Sequence, residues 1–318
     1  MDKLGTFVDW EDNSIKTVFS VGSGRVLEMT LLQNKQDRDV VCVPTHYFCT
    51  LGCKMCHLTS FMSDKDMNRV GIKEFNEALY KTLCLPAGIE SGELIRRTYK
   101  KKLLISFMGI GEPTLNPELI GAVMSADYSS LGYQEIMFAL STMMPKMENF
   151  NRTVETIRKF SAGRKFKIHF SLHSPIDQNR NSLIPSSRVS VKEACEALAD
   201  YRKTTGNSVE IHYTLISGVN DGNRELEEMD RILKVYGVPI KFLDFNEVSD
   251  LKKSEREGNW IKTFFPDRGC KLYSPPGKQI GSSCGQFTKH YFVSVESEEE
   301  KKEFEKWKKE HEVYDRFI

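Results

Sequence analysis

Cys49, Cys53 and Cys56 form a C-x3-C-x2-C run, a spacing that brings three thiolate ligands to one metal centre. Three cysteines suit a [4Fe–4S] cluster in which one iron is left open to a small ligand. The alternative is a tetrahedral zinc site, which needs a fourth ligand, and His57 could supply it. The spacing indicates a metal site in either case, and we favour the cluster.

The other cysteines differ in their surroundings. We predict that Cys84, Cys195 and Cys270 are small buried side chains, the common role of an isolated cysteine. Cys284 lies instead in Ser282-Ser283-Cys284-Gly285-Gln286, a composition typical of an exposed loop. Clustered cysteines without a secretory signal indicate metal or redox chemistry in a reducing cytoplasm.

Six short apolar runs, each followed by a stretch with helical periodicity, predict a parallel sheet built from βα units. One of the helices is predicted to begin at Val191, where Ser190-x-x-Glu193 forms a capping box. Six such units in series predict an α/β fold, an open (β/α)6 partial barrel. The predicted strands are Val40–Pro44, Leu103–Phe107, Glu135–Ala139, Lys167–Ser171, Val209–Leu215 and Ile240–Asp244.

We expect three segments along the 318 residues. Residues 1–38 form an N-terminal β-hairpin, with Lys16–Phe19 and Arg25–Leu32 flanking the turn Gly22-Ser23-Gly24. Residues 39–250 form the partial barrel. Residues 251–318 form a C-terminal extension of loops followed by a helix.

Polar residues follow the predicted strands at the points where the strands end. Active sites of βα folds collect at this edge of the sheet, so these residues predict a single ligand site. Glu112 could bind an ammonium group there, and the glycines of Gly109-Ile110-Gly111 could let a ligand approach the backbone. The predicted site residues are Gly111, Glu112, Ser141, Ser171, Leu172, His173 and Asn246.

The chain resembles the RlmN/Cfr family of radical S-adenosylmethionine RNA methyl synthases, which methylate adenosine at C2 or C8. The resemblance extends in order from about Arg25 to Phe287, far beyond the cysteine triad. The matching stretches are Cys42–Cys56, Phe107–Asn116, Phe170–Pro175, Gly218–Asp221, Phe245-Asn246 and Cys284–Gln286.

The resemblance implies a role for each group of residues. The triad would hold a [4Fe–4S] cluster, and the seven strand-end residues would contact S-adenosylmethionine. Cys284 would carry a methyl group, Cys42 would form a disulfide with it to release the product, and Glu28 would accept a proton. The electron donor would be a protein such as flavodoxin or ferredoxin, and the substrate would be RNA.

Departures from the family pattern keep two other functions open. The family's helical accessory domain is not found before the predicted hairpin, and the residues between Cys42 and Cys49 differ. A second hypothesis therefore retains the mechanism but changes the substrate to a tRNA, a free nucleotide, a peptide or a metabolite. A third hypothesis is a non-enzymatic binding module stabilised by zinc.

The charge balance does not indicate a nucleic-acid partner. Lys and Arg number 45 against 44 Asp and Glu, which gives a net charge of +1. The basic run Arg96–Lys102 precedes the second barrel strand, at the edge away from the predicted site, and we interpret it as a solvated loop. No apolar run is long enough to span a bilayer, so we expect a cytoplasmic monomer.

Overall fold

The computed structural model places the six predicted barrel strands side by side in one sheet. It describes residues 1–9, 11–33, 35–61, 69–84, 88–90, 93–95, 101–256, 261, 265, 272–274, 277, 302, 305–306 and 308–309. Cys270, Cys284 and most of the basic run at 96–102 lie outside the described residues. Within the C-terminal extension, described residues such as Lys302 and Lys306 are helical, in keeping with the helix predicted there.

The described elements follow one another as strands, then as strands alternating with helices. The strands are β1 (Asp2–Asp9), β2 (Ser14–Gly22), β3 (Arg25–Leu32), β4 (Arg38–Cys42), β5 (Gly88–Glu90), β6 (Glu93–Ile95), β7 (Lys102–Phe107), β8 (Glu135–Thr142), β9 (Phe166–Ser171), β10 (Val209–Thr214), β11 (Ile240–Leu243) and β12 (Leu272–Tyr273). The α-helices are α1 (Ile72–Leu83), α2 (Pro117–Ser125), α3 (Met147–Phe160), α4 (Asp177–Leu183), α5 (Val191–Thr205) and α6 (Asn223–Tyr236).

The main sheet has the order β1-β2-β3-β4-β7-β8-β9-β10-β11-β12. β1 to β4 pair antiparallel, and every pairing from β4 to β12 is parallel. Within the described residues β1 and β12 are its two edges, so the sheet stays open. The predicted α/β fold with an open partial barrel is confirmed. In the same part of the chain, no helix combines the length and apolarity needed to cross a membrane.

The predicted N-terminal hairpin is present as β2 and β3, but it is joined by a strand that the sequence analysis missed. Ser23 and Gly24 have φ values of 51° and 68°, the left-handed turn geometry that suits the twist of two paired strands. β1 pairs along β2, and β3 pairs with β4. The N-terminal strands are therefore continuous with the parallel sheet.

Two of the cysteine predictions can be compared with the structure. Cys195 is buried within α5, as predicted. Cys84 is exposed, so the prediction of a buried side chain was wrong. It caps the C-terminal end of α1, one residue beyond the last buried position of that helix, Leu83.

One face of the sheet packs against helices, and the other carries polar side chains. Alternation along β7 and β8 points Phe107 and its register partner Leu140 to the helical side, where Phe107 stacks on Phe75 of α1 at 6.2 Å between ring centroids. We call the opposite side the polar face. By register it carries Lys16, Glu28, Cys42, Ser106, Ser141, His169, Ser171, Glu210, His212 and Lys241.

Candidate active site

The cysteine triad lies in the loop that follows β4, at the carboxyl edge of the parallel strands. Lys54 donates its backbone N–H to the Leu183 carbonyl at 2.9 Å, which fixes the loop to the end of α4. Within the loop, Cys56 N–H donates to the Cys53 carbonyl at 2.9 Å, and the Thr59 hydroxyl donates to the same carbonyl at 2.5 Å. The parallel sheet thus positions the triad where βα folds bind their ligands.

The triad thiols are held in an apolar environment that disfavours the thiolate. Burial raises the pKa of Cys49 to about 12 and also raises the pKa of Cys53 and of Cys56. A bound iron would supply the positive charge that a buried thiolate needs, so this donor set fits a metal cluster. The apolar neighbours of Cys53 are Leu183, Ile184, Ile216, Phe245 and Val248.

Glu112 is buried at the end of the loop after β7, and its carboxylate is held by three neighbouring residues. Oε1 accepts hydrogen bonds from the Thr114 backbone at 3.2 Å, from the Thr114 hydroxyl at 2.7 Å and from the Thr142 hydroxyl at 2.5 Å. Oε2 accepts one from the Met143 backbone at 2.9 Å. Burial raises the pKa of Glu112, and these donors oppose that shift. Oε2 is the oxygen with more room for a further donor, such as an ammonium group.

The two glycines before Glu112 are required by the chain's own packing. A Cβ on Gly109 would lie 2.7 Å from backbone atoms of Val43 and Pro44, and one on Gly111 would lie 2.4 Å from Nδ1 of His46. Gly111 also has a φ of 98°. Both glycines allow the close approach of the segment that leads into the cysteine loop. The approach of a ligand to the same backbone stays a prediction. This packing of the two glycines holds Glu112 beside the cysteine loop.

The strand-end residues of β8 and β9 lie together on the polar face. The Ser141 and Ser171 hydroxyls are 3.0 Å apart. The next residue, Leu172, is packed in the hydrophobic core, and its backbone N–H donates to the His212 carbonyl at 3.1 Å. Asn246 is half-buried just after β11.

His173 is a buried histidine in a strained backbone conformation. Its φ of 56° is in the left-handed region, which a residue with a side chain adopts only when its surroundings hold it there. The Asn220 amide donates to the His173 carbonyl at 2.5 Å and supplies part of that hold. Burial lowers the pKa of His173 to about 3, so its ring is neutral at physiological pH.

Cys42 and Glu28 share the polar face with a buried lysine that the sequence analysis missed. Lys16 Nζ lies 2.9 Å from Glu28 Oε2, and both side chains are 2% exposed. Burial raises the pKa of Cys42 to about 11, and the charge of Lys16 partly offsets this rise. Lys16 was predicted only as the start of a hairpin strand, and its burial against Glu28 was not foreseen.

Arg180 of α4 is a second residue that sequence reasoning missed, because nothing in the pattern of that short helix marks an arginine as buried. Its guanidinium donates to the Met143 carbonyl at 2.6 Å and to the Ser187 hydroxyl, and it lies 5.1 Å from the centroid of Phe170. Burial lowers the pKa of Arg180 to about 10, so it remains charged at neutral pH. That charge acts on Cys53, whose pKa it lowers.

The fold defines the class of protein to which this chain is similar. It matches the crystal structure of a radical SAM methyltransferase from Sphaerobacter thermophilus with a TM-score of 0.71 and 23% sequence identity. The match covers 89% of this chain and 80% of that one. The chain therefore has the fold of that methyltransferase. No family model matches the sequence.

The curated relatives are more specific. The chain is 25% identical over 298 residues to a "Probable dual-specificity RNA methyltransferase RlmN" of Clostridium perfringens, covering 89% of this chain and 78% of that protein. A protein of the same name from Symbiobacterium thermophilum is 25% identical over 289 residues, covering 87% and 72%. The resemblance to the RlmN/Cfr family predicted from the sequence is confirmed by these homologues.

Proposed function

We propose that this chain is a radical S-adenosylmethionine enzyme that methylates an adenosine carbon, C2 or C8, in RNA. The observation that carries the proposal is the cysteine triad at the carboxyl end of β4, with buried Glu112 and Arg180 acting on its thiols. The names of the homologues support the same reaction. When bound at the triad, a [4Fe–4S] cluster and S-adenosylmethionine supply the radical chemistry that an unreactive ring carbon requires.

In this proposal the strand ends orient the cofactor. Cys49, Cys53 and Cys56 hold the cluster, and Glu112 Oε2 accepts the ammonium group of S-adenosylmethionine. The apolar side chains behind Cys53 keep water out of the site. The other proposed cofactor contacts are Gly111, Ser141, Ser171, Leu172, His173 and Asn246.

The methyl transfer itself falls to three residues. Cys284 would carry the methyl group on its sulfur, give up one hydrogen atom to the radical that S-adenosylmethionine supplies, and bond to the ring carbon through the remaining methylene. Glu28 would accept the proton that the ring carbon loses, and one electron would pass to the cluster. The Cys42 thiolate would then attack the Cys284 sulfur to form a disulfide, and the released methylene would take up a proton to become the methyl group of the base. Lys16 would stabilise both anions, because its charge faces Glu28 and lowers the pKa of Cys42.

The remaining features of the proposal concern substrate, partners and organisation. A second candidate keeps the mechanism but acts on a tRNA, a free nucleotide, a peptide or another metabolite. The net charge of +1 favours a substrate that makes few phosphate contacts with the protein. We propose a cytoplasmic monomer that receives electrons from a flavodoxin or ferredoxin. Residues 1–38, 39–250 and 251–318 would act as hairpin extension, catalytic sheet and carrier of the Cys284 loop.

The proposal is tested by nucleoside mass spectrometry of RNA from cells with and without this protein, together with iron analysis of the protein purified without oxygen. We expect methyladenosine only when the protein is present, and a brown iron-containing protein. Cys53→Ala should lose iron and product together, whereas Cys84→Ala, which changes an exposed cysteine, should keep both. A colourless wild-type protein that contains zinc, with unchanged RNA, would instead favour the zinc-stabilised binding module.

A further inference from the structure

A group of two histidines and one glutamate lies on the polar face, on the neighbouring strands β9 and β10. His169 of β9 and its register partner Glu210 of β10 are adjacent, and His212 follows two residues later. His169 Nδ1 lies 3.3 Å and His212 Nε2 lies 3.1 Å from Glu210 Oε2. All three ligand atoms are within 4.8 Å of one another. No role in the proposed reaction uses them.

The geometry of this group is that of ligands around an ion. In a tetrahedral zinc site, bonds of 2.0–2.2 Å place neighbouring ligand atoms about 3.3 Å apart, which agrees with the distances from Glu210 Oε2. The two imidazole rings are 4.2 Å apart and tilted by 43°, so their nitrogen atoms converge. His169 Nδ1 is buried and has no well-oriented hydrogen-bond partner among the described residues.

The charge states at neutral pH also suit a metal. Burial lowers the pKa of both histidines. Burial raises the pKa of Glu210, but the contacts with the two rings and with Lys167 lower it overall. Neutral imidazole and ionised carboxylate are the forms that bind a divalent cation. To bind an ion, each neutral ring would carry its hydrogen on the nitrogen that does not face Glu210.

Two lysines near the group bear on its affinity for a cation. Lys167 Nζ lies 3.0 Å from Glu210 Oε2, and its side chain is 38% exposed, so it can turn into solvent when an ion takes its place. Lys241 directs its ammonium over the ring of Tyr273, 3.9 Å from the ring centroid. Lys167 is thus the group that competes with a cation for the carboxylate.

We propose that His169, Glu210 and His212 form a second metal site, selective for a zinc-type divalent cation and separate from the cysteine triad. The two histidines and the carboxylate supply three ligands, and water would complete the coordination. The site links β9 to β10 below the carboxyl edge of the sheet. It depends on these three residues alone and does not require the proposed methylation.

The test uses the cluster-containing protein, purified without oxygen, equilibrated with Zn²⁺ and desalted, with zinc and iron measured together. We expect one zinc ion per chain in the wild type and in the control Glu227→Gln, which changes an exposed acid of α6. His169→Ala and His212→Ala should lose that zinc while retaining their iron. Cys53→Ala, which cannot assemble the cluster, should still bind the histidine-dependent zinc.

A gain of affinity separates a metal site from a hydrogen-bonded network that merely stabilises the sheet. Lys167→Met removes the competing cation, so it should tighten Zn²⁺ binding at least tenfold in competition with a fluorescent chelator. Misfolding cannot produce that gain. Equal zinc retention by the wild type and His212→Ala, or unchanged affinity in Lys167→Met, would overturn the proposal and leave the group as a hydrogen-bonded network.

Discussion

The ion pair between Lys16 and Glu28 makes the sharpest prediction about stability. Both side chains are 2% exposed and 2.9 Å apart, so neither charge is hydrated by bulk water. Lys16→Met keeps most of the length of the side chain but removes the ammonium group. The Glu28 carboxylate then stays in the same buried position without the Lys16 ammonium group.

The expected magnitude follows from the cost of a buried charge that has lost its partner. Removing one member of such a pair typically costs about 3–5 kcal/mol, whereas replacing both members with apolar residues is often neutral or stabilising. We therefore expect Lys16→Met to lower the free energy of unfolding by about 4 kcal/mol. The double variant Lys16→Met/Glu28→Leu should recover to within about 1 kcal/mol of the wild type.

The assay is urea unfolding followed by circular dichroism, with the cluster retained and oxygen excluded. The control is Arg152→Ala, which breaks an ion pair with Glu118 whose side chains are both about half exposed, and it should cost less than about 1 kcal/mol. A cost below about 1 kcal/mol for Lys16→Met, or additive losses in the double variant, would refute the reasoning.

Other predictions test the site and its supports. Gly109→Ala should lower the free energy of unfolding by about 1–3 kcal/mol and lower the iron content, because its Cβ would overlap backbone atoms. In the control Gly71→Ala the new Cβ meets only a flexible side chain, so neither quantity should change. His46 and His173 have folded pKa values of about 4 and about 3, below the unfolded value of 6.5. Their contribution to stability is therefore complete above pH 6.5 and is lost as the pH falls. At pH 5 each histidine should have lowered the free energy of unfolding by about 2 kcal/mol. A free energy of unfolding that is constant from pH 7 to 5 would contradict this. Arg180→Met should lower the free energy of unfolding by about 1–3 kcal/mol, because acceptors around the buried guanidinium, such as the Met143 carbonyl, lose their donor. It should also raise the pKa of the neighbouring triad thiol, measured as slower alkylation of the protein before cluster assembly.

The elements of the fold could be predicted because their signals are local. β7 at Lys102–Phe107 and β10 at Val209–Thr214 are apolar runs bounded by turns, and the capping box at Ser190 marks the start of α5 within the sequence itself. The residues at the strand ends were predicted to form one site because the carboxyl ends of parallel strands lie at the same edge of a sheet. β1 was missed because its pairing with β2 leaves no separate local signal.

The electrostatics of the site depend on contacts between distant segments, and the sequence does not show these contacts. Lys16 pairs with Glu28 on the neighbouring strand, and Arg180 donates to the Met143 carbonyl, 37 residues away along the chain. The glycines before Glu112 were predicted to admit a ligand, which stays a prediction, and the sequence did not show that they also lie against Val43, Pro44 and His46. The pairing of Cys42 with Cys284 remains a prediction, since Cys284 lies outside the described residues.

The central claim is that the methyl group passes to the ring through Cys284 and loses one hydrogen on the way. The most direct test supplies the cluster-containing enzyme and RNA with S-adenosylmethionine that carries a CD₃ methyl group. The account predicts methyladenosine with two deuterium atoms in its new methyl group, because the third is removed before the carbon bonds to the ring. It also predicts no product from Cys284→Ala. A product with three deuterium atoms, or full activity in Cys284→Ala, would contradict it.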